Sequence, residues 1–207
     1  MVKIFKLYEL DLSKLTFSEP IDNIIYITYD NNQAVVFETP DLFYYDKINL
    51  NKTKYSTYEL LVTLLSKTEH YTNITKSFFE SLDNKLIQLG QENINEWPFT
   101  SKNVKYKSLI KTINDKEEFI NGLIKVKFIK NKNFNTLLFN NKKIVPINDY
   151  EKILHGNGYV KLIMQLVSIW IKNDVYGAYF KLYQVKTNAD EILDLDSEST
   201  NYDELST

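Results

Sequence analysis

Residues 158–186 read GYVKLIMQLVSIWIKNDVYGAYFKLYQVK, and the fold turns on this stretch. Apolar, β-branched and aromatic residues dominate it, and Asn173-Asp174 interrupts the run near its middle. Such a pair tolerates the left-handed backbone of a tight hairpin turn, so the spacing predicts long strands at 158–172 and 175–186. Alternation then assigns faces, because successive side chains on a strand point to opposite sides. In the first strand Val160, Leu162, Met164, Leu166 and Trp170 share a register and are expected in the core. In the second, the even positions (Tyr176, Ala178, Phe180, Leu182, Gln184, Lys186) read as buried. That leaves Tyr179, Lys181 and Tyr183 together on an exposed face.

Working outward, residues 123–129 alternate again, with Lys125 and Lys127 opposite Ile124, Val126 and Phe128. Residues 136–139 and 143–147 flank Asn140-Asn141-Lys142, a second hairpin signal. A third lies at Asp30-Asn31-Asn32, between strands expected at 24–29 and 33–39, with Thr39-Pro40 ending the latter. Residues 2–10 alternate weakly, and residues 55–65 fit either strand or helix. The helical stripe is Ile74, Phe78, Phe79, Leu82, Leu86, Ile87 and Leu89, which predicts a helix over 74–92. The sum is a mainly β protein with one principal helix and no βαβ rhythm.

The chain has 207 residues and a net charge of −2. That total conceals three blocks: residues 1–100 sum to −5, residues 101–186 to +10, and residues 187–207 to −7. We therefore expect one domain over 1–186 and an acidic C-terminal tail over 187–207 that is too poor in apolar residues to pack. All 25 basic residues are lysine. No leading apolar segment suggests secretion and no run is long enough to span a bilayer, so an intracellular chain without membrane contact is expected.

Several chemistries lack their parts. There is no cysteine, which removes disulfides, thiolate metal sites and thiol nucleophiles. The only histidines are His70 and His155, too few for a histidine-rich metal site. The paired carboxylates Glu117-Glu118 and Asp194/Asp196 fall in an expected turn and in the tail, not convergently on strands. Gly156-x-Gly158 lacks the remainder of a phosphate-binding loop. No catalytic residue, metal or cofactor is assigned, and the expectation is a protein that is not an enzyme.

The basic block does carry a surface chemistry. Lysines interleaved with aromatic rings on strands can hold a single-stranded nucleic acid, with ammonium groups on phosphates and rings on bases. The same alternation also describes an ordinary solvated strand face, since tyrosine favours strands and lysine favours water. Residues of this kind are Lys125, Lys127, Tyr179, Lys181 and Tyr183, together with Trp97, Lys102, Lys105, Tyr106, Lys107 and Lys111 of the preceding segment. Trp97 fits two positions, against the helix end or lining a groove. The lack of arginine argues against bidentate reading of guanine and for low sequence specificity.

Three stretches resemble single-stranded DNA-binding proteins encoded by nucleocytoplasmic large DNA viruses. These are VFETPDL at 36–42, similar to that family's strand ending in a Thr-Pro turn, FESLDNKLIQLGQENINEWPF at 79–99, similar to its helix and tryptophan segment, and the 158–186 hairpin. The family's Trp-Phe pair is here Trp97-Pro98-Phe99, and its frequent arginines are lysines. The resemblance implies an OB-like antiparallel β-barrel that coats single strands during viral genome replication inside an infected cell, in the cytoplasmic factory or the nucleus. DNA is the implied partner, with RNA as a second option. The tail would compete for the basic face or recruit viral replication proteins, and exposed strand edges could support self-association. The alternative is a viral structural or assembly protein that uses the same β fold for protein contacts.

Overall fold

A computed structural model describes residues 2–30, 32–45, 49–51, 57–111 and 121–187. The acidic stretch 188–207, Asn31 and Glu117-Glu118 lie outside the described residues. In chain order the first strands are β1 (Ile4–Lys6), β2 (Leu15–Phe17), β3 (Ile24–Tyr29), β4 (Val35–Glu38), β5 (Leu42–Tyr44), β6 (Asn49–Asn51) and β7 (Thr57–Ser66). The helix α1 (Glu69–Glu92) follows. The second half holds β8 (Lys105–Tyr106), β9 (Leu123–Lys127), β10 (Lys130–Asn131), β11 (Phe134–Asn135), β12 (Leu137–Asn140), β13 (Lys143–Ile144), the single turn α2 (Tyr150–Ile153), β14 (Gly158–Lys172) and β15 (Val175–Thr187). The protein is mainly β with one principal helix.

The β14–β15 hairpin is the spine. Its turn residues Asn173 and Asp174 take φ of 49° and 59°, the left-handed pair that their side chains tolerate. Asn141 and Lys142 do the same between β12 and β13, with φ of 50° and 65°. On the other edge of β14, three short strands lie end to end. β3 pairs with Ser168–Trp170, β4 with Ile163–Leu166, and β5 with Gly158–Val160. Such an arrangement differs from the hairpin expected between 24–29 and 33–39, because among the described residues β3 and β4 form no ladder and an isolated Tyr29–Gln33 bridge joins the chain between them. A 15-residue strand of roughly 50 Å offers more edge than any one of them can cover. β4 ends at Glu38, just before Thr39-Pro40 as expected, and Thr39 bonds Leu162 through both backbone and side chain and carries the chain on to β5.

Two irregularities in the hairpin alter its faces. The register skips Val167 between Leu166 and Ser168, so Ile169 and Ile171 turn to the core and Trp170 to the outer face. Expecting Trp170 in the core was therefore wrong by one residue of slip, which exchanges the faces. A second irregularity between Ile163 and Met164 leaves Tyr183 unpaired and brings Val185 to the core. Thr187, expected to open the tail, ends β15 opposite Val160.

Helix α1 begins at Glu69, five residues before the apolar stripe suggests, and is capped by Thr68, whose hydroxyl accepts from the Tyr71 amide. Its buried face (Phe78, Phe79, Leu82, Leu86) packs on the inner side of the sheet, where Phe37 lies 5.4 Å from Phe78 and Phe180 lies 6.3 Å from Phe79. The main sheet runs β13-β12-β15-β14-β5-β7-β6, with β9 added to β7 and β8 to β15. Among the described residues β9 approaches β15 without joining it by a ladder, so the sheet is not closed there. Pairing is mostly antiparallel; β1–β4, β8–β15 and β12–β15 are parallel.

Candidate nucleic-acid interface

The outer face of β15 carries Gly177, Tyr179, Lys181 and Tyr183. Tyr179 is 43% exposed, a large ring left in solvent. The Lys181 ammonium sits 3.8 Å from the centre of the Phe134 ring and 4.8 Å from that of Tyr183, and those two rings meet edge to face at 5.2 Å. Tyr183 donates its hydroxyl to Gln165 Oε1 at 2.8 Å. Partial burial raises the Tyr179 and Tyr183 hydroxyls above their ordinary pKa and lowers the Lys181 ammonium.

Phe134 belongs to the small β10–β11 hairpin, which stands beside β15 and encloses an open groove of about 710 Å³ with Tyr179 and Lys181. Thr136 fixes its base. The Thr136 hydroxyl accepts from the Ile129 amide at 2.9 Å and donates to the Leu182 carbonyl at 2.8 Å.

Toward the hairpin tip, Trp170 lies across Gly177. A β-carbon at 177 would come within 3.0 Å of the indole and 3.3 Å of the Lys107 backbone, so glycine lets the three approach without a shift of either neighbour. The Lys107 ammonium stands 5.8 Å from the indole centre. One step along, Tyr26, Ser168 and Tyr179 form a row across β3, β14 and β15, and Tyr26 is 46% exposed. Neither Trp170, expected in the core, nor Tyr26 is among the residues the sequence assigns to a nucleic-acid-binding face. The alternation of Ile25, Ile27 and Tyr29 inward could have flagged Tyr26, whereas nothing local flags the slip that turns Trp170 outward.

The segment from 97 to 111 divides sharply. Trp97 is 7% exposed and packs on Phe99 and Tyr176 at 5.9 and 5.8 Å, closing the end of α1. Of its two expected positions, against the helix end or lining a groove, it takes the first, which removes it from the expected nucleic-acid-binding residues. Tyr106 also turns away from any ligand: its ring is 5.1 Å from Tyr176 and its hydroxyl donates to Asp83 Oδ1 at 2.6 Å. Burial, aided by Asp83, pushes that hydroxyl far above its ordinary pKa. The buried Asp83 carboxylate further accepts from the Ser108 hydroxyl and from the Leu109 and Ile110 amides, so one α1 side chain anchors the whole 106–110 turn. Asp174 anchors the other end, accepting from Thr100 and Ser101.

Between these anchors the lysines stay outside. Lys102 and Lys105 are exposed beside the hairpin tip, where the Lys105 amide donates to Asp174 O at 2.8 Å. Lys107, Lys111, Lys125 and Lys127 converge. Burial and then the charges of Lys125 and Lys107 hold the Lys111 ammonium below its usual value. Beneath them lies Glu59 of β7, directly opposite Lys127 in the ladder. Its side chain is 8% exposed, bonded by Lys125 and 3.3 Å from the Lys127 ammonium. Burial alone would raise this carboxyl, but the two lysines outweigh it and hold the group below the ordinary range. The structure thus gathers Lys107, Lys125 and Lys127 around Lys111, and places Tyr179, Lys181 and Tyr183 on β15.

No protein-family model and no curated protein matches the sequence. Among solved structures, the single-stranded DNA-binding protein of bacteriophage Enc34 superposes with a TM-score of 0.50 at 12% identity, over 86% of this chain and 92% of that one. A C-terminally truncated form of it gives 0.49 at 11% identity, over 88% of this chain and 99% of that one. Its complex with single-stranded DNA gives 0.49 at 11% identity, over 86% and 97%. What is shared is an OB-type fold.

Proposed function

We propose that this protein binds single-stranded DNA, largely without regard to sequence, and coats exposed strands during replication of a viral genome inside the infected cell. The observation that carries the reading is the outer face of β14 and β15. There the rings of Tyr26, Trp170, Tyr179, Tyr183 and Phe134 adjoin Lys107 and Lys181, and Lys111 links Lys107 to the Lys125 and Lys127 pair of β9. Rings of this kind stack bases at roughly 1–3 kcal/mol each while lysines replace the counterions of phosphates. The fold held in common with the phage Enc34 protein, which is named for this activity, supports the same reading. With lysine alone as the cation, the face has no planar fork to read guanine, hence the sequence tolerance. The role is binding without turnover, and residues 188–207 would recruit replication partners.

Fluorescence anisotropy of a labelled oligo-dT across a salt series tests this. The expected result is binding that weakens linearly in log–log form with salt, and that exceeds binding to a duplex of equal length. Undetectable binding at low salt would overturn it and leave the assembly role.

A further inference from the structure

We infer that Glu59 is a built-in counter-anion of the DNA site: it occupies the lysine cluster in the free protein and is displaced as their partner by a backbone phosphate. The inference rests on the single-stranded DNA reading above and concerns how tightly that site holds its strand.

The arrangement has more cations than anions, and its one anion is in an unusual place. Lys125 and Lys127 of β9 flank a single carboxylate, and Lys111 and Lys107, from the segment before β9, extend the cluster beside them. Glu59 is itself buried, so it cannot follow a departing lysine into solvent. By contrast Lys127 remains 61% exposed and Lys125 36%, each free to swing its ammonium outward while its stem stays packed. No carboxylate pairs with Lys107 among the described residues, so the four cations do not start equal. A phosphate arriving at the cluster meets Lys107 uncompensated and must compete with Glu59 for Lys125 and Lys127. Because the carboxylate stays beneath the lysines throughout, it repels the phosphate that replaces it. Glu59 therefore weakens binding and reduces the counterions released. A coating protein that must later be stripped from its strand would use such a device to keep each contact reversible.

The test is Glu59→Gln in the full chain, with oligo-dT affinity measured by anisotropy over a salt series. The expected result is tighter binding at low salt, by roughly 3–10-fold, with a log–log salt slope steeper by about 0.7 to 1.4, the increment for one or two additional phosphate contacts. Unchanged or weaker affinity with an unchanged slope would overturn the inference and leave Glu59 a structural residue, while binding by the parent protein keeps the functional reading intact. No binding by the parent protein itself would fail that reading first. Should Glu59→Gln not fold, Lys127→Met and Lys107→Met decide: the loss of affinity should be smaller for Lys127, whose charge is already partly answered. An equal or larger loss at Lys127 would sink the idea.

Discussion

Tyr176 and Tyr179 stand three residues apart on one strand and do opposite work. Tyr176 faces inward, is 3% exposed, and gathers Trp97, Phe99 and Tyr106 around itself while its hydroxyl donates to the Leu86 and Ile87 carbonyls of α1. Tyr179 faces outward at 43% exposed, next to the groove beneath Phe134. The inner cluster locks the helix to the hairpin; the outer one meets solvent. Strand parity separates the two roles, and residue type does not.

The contrast can be broken most forcefully from the inside. Trp97→Ala removes a buried indole and should cost about 3–5 kcal/mol of stability in urea unfolding, with oligo-dT affinity of the folded protein unchanged. A loss of affinity at normal stability would move Trp97 back into a binding groove. From the outside, Tyr179→Ala should do the reverse. Affinity should fall by about 1–3 kcal/mol with the melting temperature nearly constant. If stability fell instead, the outer ring would be a packing residue and the proposed platform would lose its centre.

The mildest test concerns the tip that joins the two clusters. Hydrogen bonds from the Thr100 side chain and backbone, then from Ser101, hold the Asp174 carboxyl below its ordinary pKa. A carboxyl whose folded pKa lies below the unfolded value contributes stability above that unfolded value, about 4, and loses it as pH falls through the folded one. Asp174→Asn should therefore melt earlier than the parent protein at pH 7, and the gap should narrow on acidification. A gap that stays constant to pH 3 would show that the charge is immaterial to pinning residues 100–107.

Much of this was legible in advance, and the exceptions share a cause. Ile24–Tyr29, the β12–β13 turn and the Asn173-Asp174 hairpin follow from local pattern, because alternation and left-handed Asx residues act within a few positions. The outward faces of Tyr179, Lys125 and Lys127 follow likewise. Trp170 did not, because the skipped Val167 falls where β4 gives way to β3 along the edge of β14, a junction between strands distant in sequence. Glu59 did not either, since a lone acid in YELLVTLL says nothing until β7 meets β9. Trp97 and Tyr106 read as site residues because basic neighbours surround them, and only Asp83 and Tyr176 reveal that both turn inward.

By itself, the sequence determined that the chain builds a mainly β protein around a long hairpin, with one amphipathic helix and a lysine-only basic block. These are properties of period, turn chemistry and composition, which act along the chain. Only the tertiary structure decided which aromatic rings reach solvent, which lysines share a cluster, and that a buried carboxylate lies under them. Those depend on strand register and on contacts between residues as far apart as Glu59 and Lys125, where a slip of one position exchanges inside for outside.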